Sequence, residues 1–190
     1  MIYKGIRMVF IIFFKIFYRS KYLGLENLPS QGPYIICSNH TSLFDPPLVT
    51  TIVPGKHVVS FMAKEELFNI FIIGFIIRRA SAFPVKRNTA DRKAIKHALN
   101  VLSNGGILGL FPEGTRIKTG ELGEPQHGAA MIALKSNSPV LPVAIRWSGI
   151  FRPVMVRVGS LIYLEDEGKI NSKNLEHVSN KIMNEIRNLL

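Results

Sequence analysis

Residues 82–111 read AFPVKRNTADRKAIKHALNVLSNGGILGLF, and this stretch decides the fold class. Residues 82–85 form a brief apolar strand candidate. Asn88 or Thr89 can cap a helix running to Ser103, since Ala94, Ile95, Ala98, Leu99 and Leu102 fall on one helical face. Gly105 follows that helix, where a left-handed residue commonly ends one. Residues 107–111 (ILGLF) are a continuous apolar run, the mark of a buried strand. Strand, helix and strand in that order point to parallel pairing with a helix laid across the sheet.

The same alternation extends outward. Residues 34–37 (YIIC) predict a buried strand after the turn-like Pro29-Ser30-Gln31-Gly32-Pro33. Asp45-Pro46-Pro47 reads as a helix start, with Asp45 as N-cap and Pro46 at the first helical position. Residues 57–62 (HVVSFM) predict a second strand. Residues 67–77 (LFNIFIIGFII) are apolar almost all round, so a helix there is either fully buried or in contact with lipid. Residues 126–136 predict a helix, 140–147 a strand, and 154–164 one or two more. Residues 172–190 predict an amphipathic helix with Leu175, Val178, Ile182, Ile186 and Leu189 on one stripe. There is no internal repeat or linker, and 120–125 (GELGEP) is the loosest loop. The expected fold is α/β: a mostly parallel central sheet covered by helices.

Composition narrows the function. The chain has 190 residues, 24 Lys plus Arg against 13 Asp plus Glu, and a formal charge of +11. The apolar share of 47% excludes a disordered chain. The lone Cys37 excludes a disulfide framework and a multi-cysteine metal site. The positive charge calls for an anionic partner: nucleic acid, an acidic membrane surface or a phosphorylated substrate. No helix-turn-helix, zinc-finger or RNP-like signature accompanies it, so nucleic acid is not expected.

The N-terminus favours a membrane surface. Residues 1–18 read MIYKGIRMVFIIFFKIFY, with the longest apolar run at 8–14. At ~1.5 Å per residue that run covers roughly 10 Å, against a bilayer core of ~30 Å. Lys4, Arg7, Lys15 and Arg19 flank it, which suits a helix lying in the headgroup region. A first helix packed on the core accounts for the pattern as well. No small-residue cleavage site follows. The expected division is a membrane-associating helical segment at 1–23 and a catalytic domain at 24–190.

Three clusters carry chemistry. Asn39-His40-Thr41-Ser42-Leu43-Phe44-Asp45 follows the YIIC strand, and carboxyl ends of strands are where open α/β sheets bind ligands. His40 is a candidate general base and Asp45 its orienting carboxylate. Five residues place them about 140° apart on a helix, so they could meet only across a turn. On spacing alone, a loop histidine beside an N-cap aspartate accounts for the pair. Phe111-Pro112-Glu113-Gly114-Thr115-Arg116 offers an acceptor, a hydroxyl and a guanidinium in one turn, a set suited to a polyol phosphate. A turn with solvated charges fits it too. Lys64, Lys86 and Arg87 follow two further strands and are phosphate-ligand candidates or ordinary surface charge. Parallel strands would bring all these ends to one edge.

NHTSLFD (pattern NHxxxxD), FPVKR, FPEGTR and the strand Val140-Leu141-Pro142-Val143, in this order, resemble the blocks of the glycerolipid acyltransferases over about residues 24–160. Lys64-Glu65-Glu66-Leu67-Phe68 also looks like the segment between the first two blocks. The resemblance implies transfer of a fatty acyl group from an acyl carrier protein or coenzyme A thioester to the sn-2 hydroxyl of lysophosphatidic acid, giving phosphatidic acid. It implies His40 as base, Asp45 as its partner, and Lys64, Arg87, Glu113, Gly114, Thr115 and Arg116 as the acceptor-binding set. No His/Cys/carboxylate set has zinc spacing, so no metal is expected, nor a cofactor; the basic charge and the greasy segments at 8–14 and 67–77 point to an anionic membrane, at its cytoplasmic face. Other acceptors (glycerol 3-phosphate or a lyso-aminolipid) and a non-catalytic membrane-binding protein of the same fold are the alternatives. Gln126-His127-Gly128 departs from the family, which often has two lysines before that glycine, and Pro46-Pro47 is a second departure. With no G-x-S-x-G elbow and with Cys37 inside a strand, no acyl-enzyme is expected. His57, His97, His127 and His177 read as structural or surface residues, His127 being the nearest in sequence to the second block.

Overall fold

The computed structural model describes residues 2–55, 57–86, 89, 91–117, 121–165, 167 and 170–190. Among these, seven strands make one sheet: β1 (Lys21–Leu23), β2 (Tyr34–Ser38), β3 (Val59–Lys64), β4 (Ala82–Val85), β5 (Ile107–Leu110), β6 (Val140–Trp147) and β7 (Val154–Val158). Their order is β1-β7-β6-β2-β5-β3-β4. From β6 to β4 all neighbours are parallel. At the other edge β7 runs antiparallel to β6, and β1 pairs parallel with β7. The mostly parallel α/β sheet expected from the sequence is the fold.

Among the described residues six α-helices accompany the sheet: α1 (Ile2–Phe17), α2 (Asp45–Ile52), α3 (Phe71–Arg79), α4 (Arg92–Ser103), α5 (Gly128–Ser136) and α6 (Ser172–Leu189). Strand β2 shows how the layers arise, since successive strand side chains point to opposite faces. Ile35 and Cys37 join Ala98 and Leu102 of α4, Ile132 of α5 and Ile182 of α6. Tyr34 and Ile36 join Phe14 of α1 and Leu48 and Ile52 of α2. Both faces are covered, so the central strands read as unbroken apolar runs rather than alternating ones. Each such buried side chain contributes about 1.5–3 kcal/mol over its exposed state, enough for packing to set strand positions that short sequences leave loose.

Three local expectations change. Helix α4 is capped by Asp91, whose carboxylate accepts from Lys93 N and Ala94 N, both at 3.1 Å. Thr89 is not the cap, and Asn88 lies outside the described residues. Helix α1 stops at Phe17, and Lys21–Leu23, read as the end of the same helical segment, instead adds a strand to the sheet. The greasy stretch at 67–77 is split between a 3-10 turn (Glu65–Asn69) and α3. Within α3 only Gly74 is buried, while Phe71 is 92% exposed and Ile72, Ile73, Phe75 and Ile76 are exposed too. Among the described residues nothing covers this apolar face, so the helix is not part of the sheet's core.

Candidate active site at the carboxyl edge of the sheet

Because β2 to β6 are parallel, the segments after them emerge along one edge, and the candidate residues gather there. Past β2, the Asn39 side chain donates Nδ2–H to Ile145 O at 2.9 Å and accepts Ile145 N–H on Oδ1 at 2.8 Å. Those bonds tie the chain to β6 one residue before His40. The His40 ring then stacks on Phe111, centroids 4.1 Å apart, and Phe111 stacks on Phe61 at 5.9 Å.

His40 Nδ1 lies 2.9 Å from Asp45 Oδ2. A carboxylate only accepts, so in the neutral ring Nδ1 carries the proton and Nε2 is the acceptor. Asp45 is 0% exposed yet well satisfied. Oδ2 also accepts from Thr41 N and Ser42 N, both at 2.7 Å, and Oδ1 accepts from Trp147 Nε1 at 2.7 Å. Four N–H donors thus satisfy this buried carboxylate. Asp45 is the first residue of α2 and Phe44 is its N-cap, so Asp45 does not cap the helix as expected. Its side chain turns back over the loop, which brings together a pair that a continuous helix would have held apart.

The second cluster divides in two. Glu113 is 3% exposed and accepts His40 N–H on Oε2 at 2.8 Å and Gly123 N–H on Oε1 at 3.0 Å. Burial pushes its carboxyl above the ordinary value of 4.5, against the opposing pull of those two N–H groups. Gly114 closes the turn at φ +67, its N–H bonded to Phe111 O at 2.9 Å. Thr115 and Arg116 face outward, exposed. The neighbouring Ile117 N–H donates to His40 O at 2.8 Å, so both motifs are laced together through main chain.

Lys64 ends β3 in register with Val85 of β4, and pairs with Glu66 at 3.1 Å. Lys86, just beyond β4, lies 3.9 Å from Glu65. Both cations sit at the same sheet edge as the His40 pair. Arg87 lies outside the described residues. His127 precedes α5, its Nδ1 3.3 Å from Ser179 Oγ of α6. Cys37 is fully buried, its thiol pushed up to about 12 by that burial. Asn39 and Phe111, both members of the two motifs, shape the site through the bonds to Ile145 and the ring stack, and Trp147, which lies in neither motif, shapes it through Asp45. The signal for Trp147 was its place as the last residue of a strand predicted to end at this edge. Beside the pair opens a cleft of about 890 Å³, lined by Tyr18, Thr41, Ser42, Phe44, Arg146 and Trp147 among others.

The chain resembles known proteins over most of its length. A family model described as Acyltransferase matches residues 19–146. The chloroplastic 1-acyl-sn-glycerol-3-phosphate acyltransferase of Brassica napus is 34% identical over 140 residues, covering 72% of this chain and 40% of that one. The 1-acyl-sn-glycerol-3-phosphate acyltransferase of Streptococcus pneumoniae is 31% identical over 176 residues, 88% of this chain and 65% of that one. The chain thus spans less than two thirds of the length of either curated relative. The crystal structure of the 1-acyl-sn-glycerophosphate acyltransferase of Thermotoga maritima superposes with a TM-score of 0.75 at 26% identity, covering 98% of this chain and 79% of that one. With the family match covering more than half of its residues and the His40–Asp45 pair at the sheet's carboxyl edge, this chain belongs to the acyltransferase family.

Proposed function

We propose that this chain transfers a fatty acyl group from a thioester to the sn-2 hydroxyl of lysophosphatidic acid, giving phosphatidic acid. The observation that carries the reading is the 2.9 Å contact between His40 Nδ1 and a buried, four-fold hydrogen-bonded Asp45, beside a cleft at the carboxyl edge. An alcohol is a poor nucleophile near pH 7. His40 Nε2 takes its proton as the oxygen attacks the thioester carbonyl, and Asp45 stabilises the imidazolium. General-base help of this kind is worth ~10²–10⁴-fold. The new C–O bond forms, the C–S bond breaks, and the departing thiolate recovers its proton from His40. No protein nucleophile intervenes, in keeping with a Cys37 thiol held in the core.

In this reading Glu113 holds the backbone of His40, while Gly114, Thr115 and Arg116, with Lys64 and Arg87, receive the glycerol phosphate. Arginine suits the phosphate through its forked donors. The donor is an acyl carrier protein or coenzyme A thioester. The outer face of α1 (Met8, Val9, Ile12, Ile16) and the exposed residues of α3 rest on the cytoplasmic face of the cell membrane. Arg78 and Arg79, in the last turn of α3, meet anionic headgroups there. Among the described residues no helix is long and apolar enough to cross a membrane; in this reading the exposed apolar faces of α1 and α3 lie in the headgroup region.

The test is an assay of detergent-solubilised protein with lysophosphatidic acid, glycerol 3-phosphate or a lyso-aminolipid as acceptor, and acyl-CoA or acyl carrier protein thioester as donor. Phosphatidic acid formed from lysophosphatidic acid by wild type but not by His40→Ala is the expected result. Equal activity in both proteins overturns the assigned base. Faster acylation of another acceptor overturns the substrate.

A further inference from the structure

We infer that Trp147 is a positioning residue for the base pair: its indole N–H fixes the Asp45 carboxylate so that Oδ2 faces the His40 ring. The inference rests on the roles proposed above for His40 and Asp45. Asp45 Oδ2 is crowded by three donors, whereas Oδ1 accepts from the indole Nε1 at 2.7 Å. A carboxylate held at one oxygen can still tilt about that oxygen. Held at both, it presents a fixed plane. Indole is a donor only, so this bond has one sense whatever the protonation of its surroundings. Without it, a buried anionic oxygen would lose a charge-assisted bond that water cannot readily replace.

The indole is itself held. Trp147 is the final residue of β6, in register with Val154 of β7. Tyr18 meets its ring edge-on, centroids 5.0 Å apart at 82°, and Phe14 of α1 lies 6.2 Å away. Phe44, the residue before Asp45, packs against both Phe14 and Tyr18. The aromatic cluster therefore joins the inner face of α1 to both ends of the Asp45 contact. Phe14 is fully buried and Phe10 and Phe13 are half-buried beside it, while Ile12 and Ile16 are exposed, so α1 is a wedge between the outer surface and this cluster.

Orientation is where such a residue acts. Misplacing a reacting group by about 1 Å can cost 10²-fold in rate, with little effect on substrate affinity. The test compares wild type, Trp147→Phe and His40→Ala in the acyl-transfer assay, with kcat and KM measured separately for donor and acceptor. Trp147→Phe keeps an aromatic ring in the cluster and removes the N–H. The expected result is a fall in kcat of about tenfold to a hundredfold, with both KM values within about twofold. An unchanged kcat, or a change carried by KM alone, overturns the inference. His40→Ala separates the levels: activity surviving that change overturns the base assignment itself, whereas activity lost there but retained in Trp147→Phe overturns only the role of Trp147.

Should Trp147→Phe fail to fold, a second measurement decides. The chain has one tryptophan, so its indole N–H resonance in ¹⁵N-labelled protein is assigned without ambiguity. An anionic acceptor shifts that proton downfield. Asp45→Asn removes the anion and should move the resonance upfield; a resonance unmoved by Asp45→Asn overturns the contact.

Discussion

The main-chain N–H of His40 donates to Glu113 Oε2 at 2.8 Å, so the second motif grips the first by its backbone and leaves the imidazole to Asp45. The other oxygen of the same carboxylate holds Gly123 N–H. Glu113 thus acts as a two-ended clamp between the loop after β2 and the loop after β5.

Glu113→Gln tests that clamp. Glutamine keeps the shape but can accept at only one of the two ends, leaving a buried N–H facing an amide NH₂. The expected loss is about 2 kcal/mol, or ~4–8 °C in Tm, together with lower kcat. The pH dependence has a definite sign. Burial raises the Glu113 carboxyl above 4.5, so the folded chain holds this proton more tightly than the unfolded one. Its contribution is then greatest below pH ~4.5 and declines as pH rises through the raised value. Thermal melts of wild type and Glu113→Gln across that range should show the gap between them narrowing with rising pH.

Asp91 behaves oppositely. Its carboxylate accepts from Lys86 N–H at 3.0 Å and from two N–H groups of α4, which hold it below its ordinary 3.8, the Lys86 bond foremost. Asp91→Ala should lower the melting temperature at pH 7 by removing the cap. A depressed acid contributes above its unfolded value and loses that contribution as pH falls through the folded one. The gap between the variant and wild type should accordingly close as pH is taken below 3.8.

Gly109 makes room for an aromatic column. A Cβ at this position would lie 2.2 Å from the ring of Phe61, which stacks on Phe111, which stacks on His40. Gly109→Ala should displace that column, with a stability loss of about 1–3 kcal/mol for an overpacked core. Steady-state kinetics should show reduced kcat, since the ring beneath His40 has moved.

The exposed face of α3 is separable from folding. Replacing Phe71 and Phe75 together with Ser should leave Tm unchanged, because neither ring is buried. Sedimentation with vesicles containing phosphatidylglycerol should show weaker binding. Each inserted ring is worth about 1.5–3 kcal/mol, so roughly tenfold or more per site. Binding by the wild type should also weaken with added salt, as Arg78 and Arg79 are screened.

Much of this architecture was legible because its strands are covered on both faces and read as apolar runs. The strand expected at 140–147 is observed as Val140–Trp147, and parallel strand order alone is enough to carry His40, Lys64 and Glu113 to one edge. Other features depended on distant partners. Lys21–Leu23 carries no strand signal of its own and is held by β7, far along the chain. Any of several polar residues before α4 could have capped it, and the turn that bonds Lys86 N–H selected Asp91. A carboxylate in a turn does not reveal what it faces: the motif alone does not show that Glu113 accepts from the backbone N–H groups of His40 and Gly123. Trp147 is placed at this edge by the end of its strand, but its bond to Asp45 depends on β6 lying beside β2.

Asn39 illustrates how a sheet can release a chain without leaving a gap. Its side-chain amide offers one donor and one acceptor to Ile145, the same pair that a peptide group would offer. The sheet therefore gains a surrogate rung, and the main chain is free to veer toward His40 while β6 still finds a partner. Aspartate lacks the donor, and glutamine would carry the amide one methylene too far. The narrow choice of residue at this position arises from the carpentry of the sheet, one step removed from the reaction beside it.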